Sequence, residues 1–388
     1  IALLSVAGYG NFHAGGVTAT VSGDANRNAV AALEWRVAGG TFTAAHPLVR
    51  IGPGHFAGSL FALSPGTAYE ARVTVTDPDG VAGAPAATAS FQTRPDTLPE
   101  PTTRTLYVST SGSDGNPGTS AAAPLRTVQR AANLSQPGDL ILVQPGVYRE
   151  SVTVTRSGTA GQPIVFRGAG AGAILDGADA AIAAGKPWTP SGGGVYSLAP
   201  GFPTGHVVTD AGRLYAYASV PALQALGAGA PGGFVFDGTT LHVKLADGSS
   251  PAAHAMHVAR LENGFVLDGV SHVRVEGLDI RHYGAGAYGK GVYLRYASDC
   301  VVRLCRIHEI EAAGVWVKGG DRHRIEDNEV WDTSIFGWPW DYAKGSSAEN
   351  GAVLFSDEVG RGNVVRATPS TARSTASHPA ARSLRPTA

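Results

Sequence analysis

The sequence predicts an all-β chain in two parts: a small N-terminal β-sandwich, then a solenoid of stacked strand-and-turn coils, a parallel β-helix. Three observations lead there. Short alternating apolar runs, divided by turn residues, fill residues 1–95. Three later segments align: "GVYLRYASDCVVRLCRIHEI" from Gly291, "GVWVKGGDRHRIEDNEVWDT" from Gly314 and "GAVLFSDEVGRGNVV" from Gly351. The first two begin 23 residues apart, the period of a solenoid coil. The strands between are separated by glycine and proline, without long helical patterns. Leucine-rich repeats share this length, but their leucine framework is absent.

Composition removes several function classes. Lys and Arg (30) nearly balance Asp and Glu (31), so the chain has no electrostatic footprint for nucleic acid. No apolar run approaches the roughly 20 residues of a membrane span. The chain begins at Ile1 rather than Met, so a leader is expected to be missing; "IALLSVAG" is too short to be one. Cys300 and Cys305 would lie about 16 Å apart along an extended strand, beyond disulfide reach. With no CxxC or Cys/His grouping, two core thiols are expected.

In the first part the strands are "GGVTATVSG", "AALEWRVAG", "AGSLFAL", "AYEARVTVTD" and "ATASFQT". The stretch "LSPGTAYEARVTVTD" (63–77) resembles the corner leading into strand F of fibronectin type III domains, with Tyr69 as the corner tyrosine. That resemblance implies Trp35 as the core tryptophan and a spacer or docking role. "RPDTLPEPTTR" (94–104) is Pro-rich and polar, which places a linker over 96–104.

The second part opens with the strand "LYVS", the turn cluster "GSDGNPGT" and the helical pattern "PLRTVQRAANL". Leu125, Val128, Ala132 and Leu134 have approximately helical spacing, with Thr127 or Ser120 as N-cap. "SDGN" reads as turn chemistry, its side chains bonding their own backbone. Strands follow in "GDLILVQPGVYRE" and "PIVFRGAGAGAILDG". This run closely resembles the entry of right-handed parallel β-helix proteins of the pectate-lyase-like superfamily. There the helix caps the open end of the coil, which would otherwise expose apolar side chains and unpaired backbone. The resemblance covers 105–177 and 261–366. Residues 180–260 interrupt the coils with hairpin patterns, an inserted subdomain.

Strand alternation sends Val292, Leu294, Val315 and Val317 inward, and Tyr293, Arg295, Trp316 and Lys318 outward. Matching repeats stack Arg295 on Lys318 and Tyr293 on Trp316. An aromatic pair beside two cations suits an acidic sugar. Pectate-lyase-like enzymes acting on uronates use a Lys or Arg on such a face to remove the proton α to the carboxylate, often with Ca²⁺. The resemblance therefore implies Lys318 as base, with Arg295 second, by place on the repeat alone. A solvated surface pair is the alternative. The connection 334–350, "SIFGWPWDYAKGSSAEN", carries Trp338, Trp340 and Tyr342, read as a glycan-binding loop or as packing that seals the coil. Asp341, Lys344 and Glu349 supply polar groups there.

Asp299, Glu309, Asp321, Asp327, Asp357 and Glu358 are scattered along turns, and a triple-Asp hydrolase pattern is not recognisable. His282, His308 and His323 fall in different repeats without metal-ligand spacing, as exposed or capping residues. The tail 367–388 drops the repeat pattern and has no aromatic residue or Gly. It reads as disordered, or as a shifted reading frame: GC-rich codons exist whose alternate frame continues the coil as "VVRNTVHG". On that reading the β-helix is truncated at its C-terminus. The expected function is that of an extracellular, monomeric, polysaccharide lyase-like protein acting on acidic glycans by β-elimination. The alternatives are a non-catalytic glycan-binding or adhesive protein, a glycoside hydrolase and a uronate epimerase.

Overall fold

Val17, Ala19 and Val21 on one strand, and Ala31, Leu33, Ala71, Val73 and Val75 on two others, are buried at every second position. That period builds two antiparallel four-stranded sheets within the unit Ile1–Leu98. One sheet runs Ala2–Gly10, Ala14–Ser22, His55–Phe61, Val49–Gly52; the other runs Thr43–Ala44, Val30–Val37, Ala68–Thr76, Ala86–Gln92. The Tyr69 hydroxyl accepts the Ser64 amide at 2.7 Å, tying the turn to the strand that follows it. Trp35 lies 5.6 Å from the Tyr69 ring, half-buried at the edge of the core. The opening residues are a strand paired with Ala14–Ser22, which their nearly unbroken apolar run conceals.

The structure is a computed structural model describing residues 1–210, 212–226, 231–286, 288–333 and 351–366. Trp338, Trp340, Tyr342, Asp341, Lys344, Glu349 and the tail lie outside the described residues. Among the described residues no helix is long and apolar enough to cross a membrane.

The unit from Pro99 onward is a parallel β-helix of three sheets. The first has seven strands: Arg104–Val108, Asp139–Val143, Ile164–Gly168, Val273–Glu276, Val301–Arg303, Arg324–Glu326 and Val364–Arg366. Gly146–Tyr148, Ala173–Asp176, Asp279–Arg281, Arg306–Ile310 and Glu329–Thr333 form the second. The third contains Val152–Val154, Asn263–Asp268, Lys290–Arg295, Ala313–Gly320 and Gly351–Val359. Phe265, Val292 and Val315 stack in one interior column, fully buried. Burying such a side chain stabilises by about 1.5–3 kcal/mol, so the columns dominate the fold. The third repeat pairs Ala313 with Gly351 and Val315 with Val353, one residue off the glycine-to-glycine match that the sequence suggests.

Corners are turned by single left-handed residues, and these stack as the strands do. His282, Glu309 and Asp332 occupy one corner column with φ of 60°, 52° and 48°. Gly277, Leu304 and Asp327 occupy another. A left-handed non-glycine residue costs about 1–2 kcal/mol, so the coil geometry imposes these conformations against local preference.

The helix Val128–Leu134 covers the first coil, burying Val128, Ala131 and Ala132. Thr127 is its N-cap, accepting the Arg130 amide at 3.1 Å. Asp114, expected to bond its own turn, instead accepts the Arg126 and Thr127 amides, both at 2.9 Å. The Gln129 side chain exchanges hydrogen bonds with the Thr153 backbone at 2.7 and 3.0 Å, closing an open strand edge. Glu100 pairs with Arg167 at 2.9 Å, so the end of the expected linker is fastened to the first sheet.

Between Gly177 and Arg260 the chain leaves the solenoid. Antiparallel pairing of Ala178 with Ala259 closes the neck of a subdomain with its own core around Trp188, Leu214, Phe234 and Val243. This excursion and the 334–350 connection leave from the same corner, between the second and third sheets.

Candidate functional site

The outer face of the third sheet arises from register alone. Parallel pairing sets Tyr293 beside Trp316 and Arg295 beside Lys318 on neighbouring strands. The two rings are 5.9 Å apart and tilted by 54°. Lys290, which opens the first strand, brings its ammonium 4.9 Å from the Tyr293 ring and 4.5 Å from the Trp316 ring. Trp316 donates its indole N–H to Ser356 at 2.7 Å. At 6% exposure Trp316 is not the open platform that strand alternation suggests. Tyr293 is the more accessible ring.

Each predicted cation already has a carboxylate partner. Arg295 lies 3.3 Å from Asp268, and Lys318 lies 3.3 Å from Asp357. The hydrogen bond and charge of Asp357 push the Lys318 pKa up. A general base must first release its proton, so this environment moves Lys318 away from that role. Trp338, Trp340 and Tyr342 belong to the undescribed 334–350 connection.

Two of the scattered carboxylates, Asp299 and Asp321, make structural contacts. Asp299 holds Arg322 through two 2.7 Å bonds, and Asp321 accepts the Arg361 amide at 2.6 Å. His323 is fully buried, not exposed. Among the described residues no group of three or more His, Cys, Asp or Glu is arranged to hold a metal ion, so the Ca²⁺ expectation gains no site there.

The expectation that His282 and His308 are exposed is overturned. Both are buried, at 2% and 7% exposure, where the second sheet meets the corner. His282 sits between Asp176, at 3.0 Å from Nδ1, and Glu309, at 2.9 Å from Nε2. His308 contacts the same Glu309 at 3.1 Å from Nδ1 and Asp279 at 3.0 Å from Nε2. A continuous chain Asp176–His282–Glu309–His308–Asp279 results, with Arg281 and Arg149 also on Asp176 at 3.1 and 3.2 Å. Trp331 stacks on His308 at 4.2 Å, and His257 of the inserted subdomain stacks on His282 at 4.2 Å.

Burial alone would discharge these groups, but their pairing wins for four of them. Asp176 and Glu309 are held below the usual carboxylate range, desolvation being outweighed by their histidine partners. Bonds to Asp176 and Glu309 raise His282, and bonds to Asp279 and Glu309 raise His308, both against desolvation. His257 and His206 go the other way. Burial, helped by the charge on His282, pushes His257 down to about 4; burial and Arg213 lower His206. The network therefore clamps the inserted subdomain to the solenoid. No sequence spacing reveals it, because Asp176 and His282 stand 106 residues apart, on either side of the inserted subdomain.

Residues 110–155 match a family described as "Protein of unknown function (DUF1565)". A stretch of 62 residues is 44% identical to the uncharacterized protein YwoF of Bacillus subtilis (strain 168), covering 16% of this chain and 13% of that protein. Among solved structures, the complex of XylC with xylose superposes with a TM-score of 0.50 at 15% identity, over 59% of this chain and 50% of that one. This chain therefore spans about half of XylC, a parallel β-helix protein, and the likeness is one of fold. A family 28 exopolygalacturonase of Yersinia enterocolitica gives a TM-score of 0.28 at 12% identity over 92% of this chain and 67% of its own, too loose to bear on this chain.

Proposed function

We propose that this protein is a secreted carbohydrate-active protein of the pectate-lyase-like right-handed β-helix group, led by a fibronectin type III-like spacer. Its task is to grip an acidic polysaccharide along the outer face of the third sheet. One observation carries this reading: register sets Arg295 beside Lys318 on the outer face next to Tyr293, whose ring the Lys290 ammonium packs against. An aromatic face suits a pyranose ring, and uronate carboxylates can replace Asp268 and Asp357 as partners of Arg295 and Lys318. The fold neighbour XylC was solved with xylose, which favours a saccharide partner. With the Asp357 hydrogen bond and charge raising the Lys318 pKa, the lysine and Arg295 act in this reading as grips on the glycan.

Affinity electrophoresis in polygalacturonate, alginate and glycosaminoglycan gels tests the grip. The wild type is expected to be retarded, less so with added salt, and the Arg295→Ala/Lys318→Ala pair to bind at least tenfold more weakly. No retardation by any polyanion at low salt would overturn the reading. In parallel, absorbance from unsaturated uronate ends marks elimination, reducing ends without that absorbance mark hydrolysis, and retardation without turnover marks an adhesive protein.

A further inference from the structure

The two outer faces of the N-terminal sandwich are unlike. Outside the sheet containing Val30–Val37 and Ala68–Thr76, Arg36 pairs with Glu70 and Arg72 with Glu34, and both guanidinium groups rest on the Phe42 ring. That is the ordinary solvated face of an antiparallel sheet. On the four strands of the other sheet Arg50 is the only Asp, Glu, Lys or Arg, and it turns inward onto Phe56 and Asp24. The outer face there carries no ion and exposes Tyr9 at 67% and Phe61 at 70%, with Val49 and Ile51 on the edge strand. We propose that this face binds the flat surface of an uncharged polysaccharide, so that the sandwich holds the chain on a glycan as well as spacing it. The choice of a saccharide rests on the glycan reading above; the face itself does not.

Register builds the platform. Tyr9 stands opposite Gly16 and Phe61 opposite Ala14, on the two strands that flank Ala14–Ser22. Val17, Ala19 and Val21 of that middle strand are buried, so Ala14 and Gly16, with the two rings beside them, belong to the outer face. A β-carbon added at Gly16 would run into Cε1, Cζ and the hydroxyl of Tyr9. The ring therefore lies across the glycine, one side on backbone and the other open to water. From strand spacing and rise, the Cα atoms of Tyr9 and Phe61 are roughly 12 Å apart, so neither ring covers the other. Ser59, opposite Gly16, and Thr18 add exposed hydroxyls next to Tyr9.

This chemistry selects the occupant. The apolar side of a pyranose packs on an aromatic ring, and its hydroxyls bond to neutral hydroxyls such as those of Thr18 and Ser59. A charged polymer gains nothing from a face without counter-charges. A second copy of the chain is the competing occupant, and area decides against it. Four strands of this length cover on the order of 400–500 Å², against about 800 Å² per partner in a stable protein interface. A polymer makes up for a small footprint by offering the same contact many times over.

Depletion of the whole chain from solution by microcrystalline cellulose, chitin and insoluble mannan tests the proposal. Retention on at least one of them is expected, insensitive to added salt and at least tenfold weaker in Tyr9→Ala and in Phe61→Ala. Both side chains lie outside the core, so the fold should survive their removal. Gly16→Thr keeps both rings but lifts that of Tyr9 off the sheet, and should weaken retention as well. No retention on any uncharged polymer, retention indifferent to all three variants, or retention lost in the Arg295→Ala/Lys318→Ala pair overturns the proposal. So does a dimer in sedimentation that Tyr9→Ala dissolves, which would give the face to a second copy. Retention on an uncharged polymer without retardation by polygalacturonate, alginate or glycosaminoglycan supports the platform and overturns the acidic-glycan reading alone.

Discussion

Asp176 has no exposed surface and meets Arg149, Arg281 and His282 at once. Removing one partner of such a buried group leaves the others uncompensated, so Asp176→Asn is expected to cost about 3–5 kcal/mol. The pH dependence has a definite sign. His282 and His308, raised in the fold, stabilise fully below the unfolded value of about 6.5 and lose that contribution as pH climbs through their folded values. His206 and His257, lowered in the fold, stabilise above about 6.5 and lose it as pH falls. Asp176 and Glu309 add a further loss only below about pH 4. Urea midpoints measured across pH should therefore peak at about 6.5 and decline on both sides. In Asp176→Asn the alkaline decline should shrink, because His282 loses the partner that raises it. A flat profile through pH 6.5 would contradict the network.

At the scale of single elements, the cap helix depends on contacts from outside it. Glu150 takes the Val128 and Gln129 amides at 2.9 and 2.8 Å, while Asp114 takes the two amides preceding them. Asp114→Ala should cost about 1–2 kcal/mol, as loss of a helix cap does, and should speed hydrogen exchange at Arg126 and Thr127 more than in the third sheet. Uniform exchange across the molecule would argue against a local role. What depends on period is legible in the sequence: inward Val292 and Val315, the coil length, and the helix ending at Leu134, though Leu125 bridges to Val108 outside it. Whatever depends on meeting across coils escaped it. Alternation says that Trp316 points outward from the sheet, but not that Ser356 and Lys290 pack against it. His282 and Glu309 looked like loose turn residues because corner geometry, not spacing, brings them together. The strand Ala2–Gly10 was hidden for the opposite reason, its run showing too little alternation.

The whole chain holds two units with separate cores, one around Leu33, Tyr69 and Val73, the other running the length of the solenoid. Two units, the second holding its inserted subdomain through the histidine network, imply two cooperative transitions. Calorimetry is expected to resolve two, and Tyr69→Phe, which leaves the Ser64 amide without its acceptor, should lower only one of them by a few degrees. A single transition shifted as a whole would show that the units melt together.

Cys300 and Cys305 bracket the strand Val301–Arg303, and both thiols point into the core toward carbonyls of the preceding coil, at Val270 and Val275. Burial pushes each thiol pKa up to about 12. Neither sulfur can attack a maleimide while the coil is shut. The molecule thus carries two built-in stopwatches for the opening of one turn of its spiral. Timed alkylation read by mass spectrometry should tag both together when that turn unwinds, and tagging of one alone would mean its two ends breathe independently.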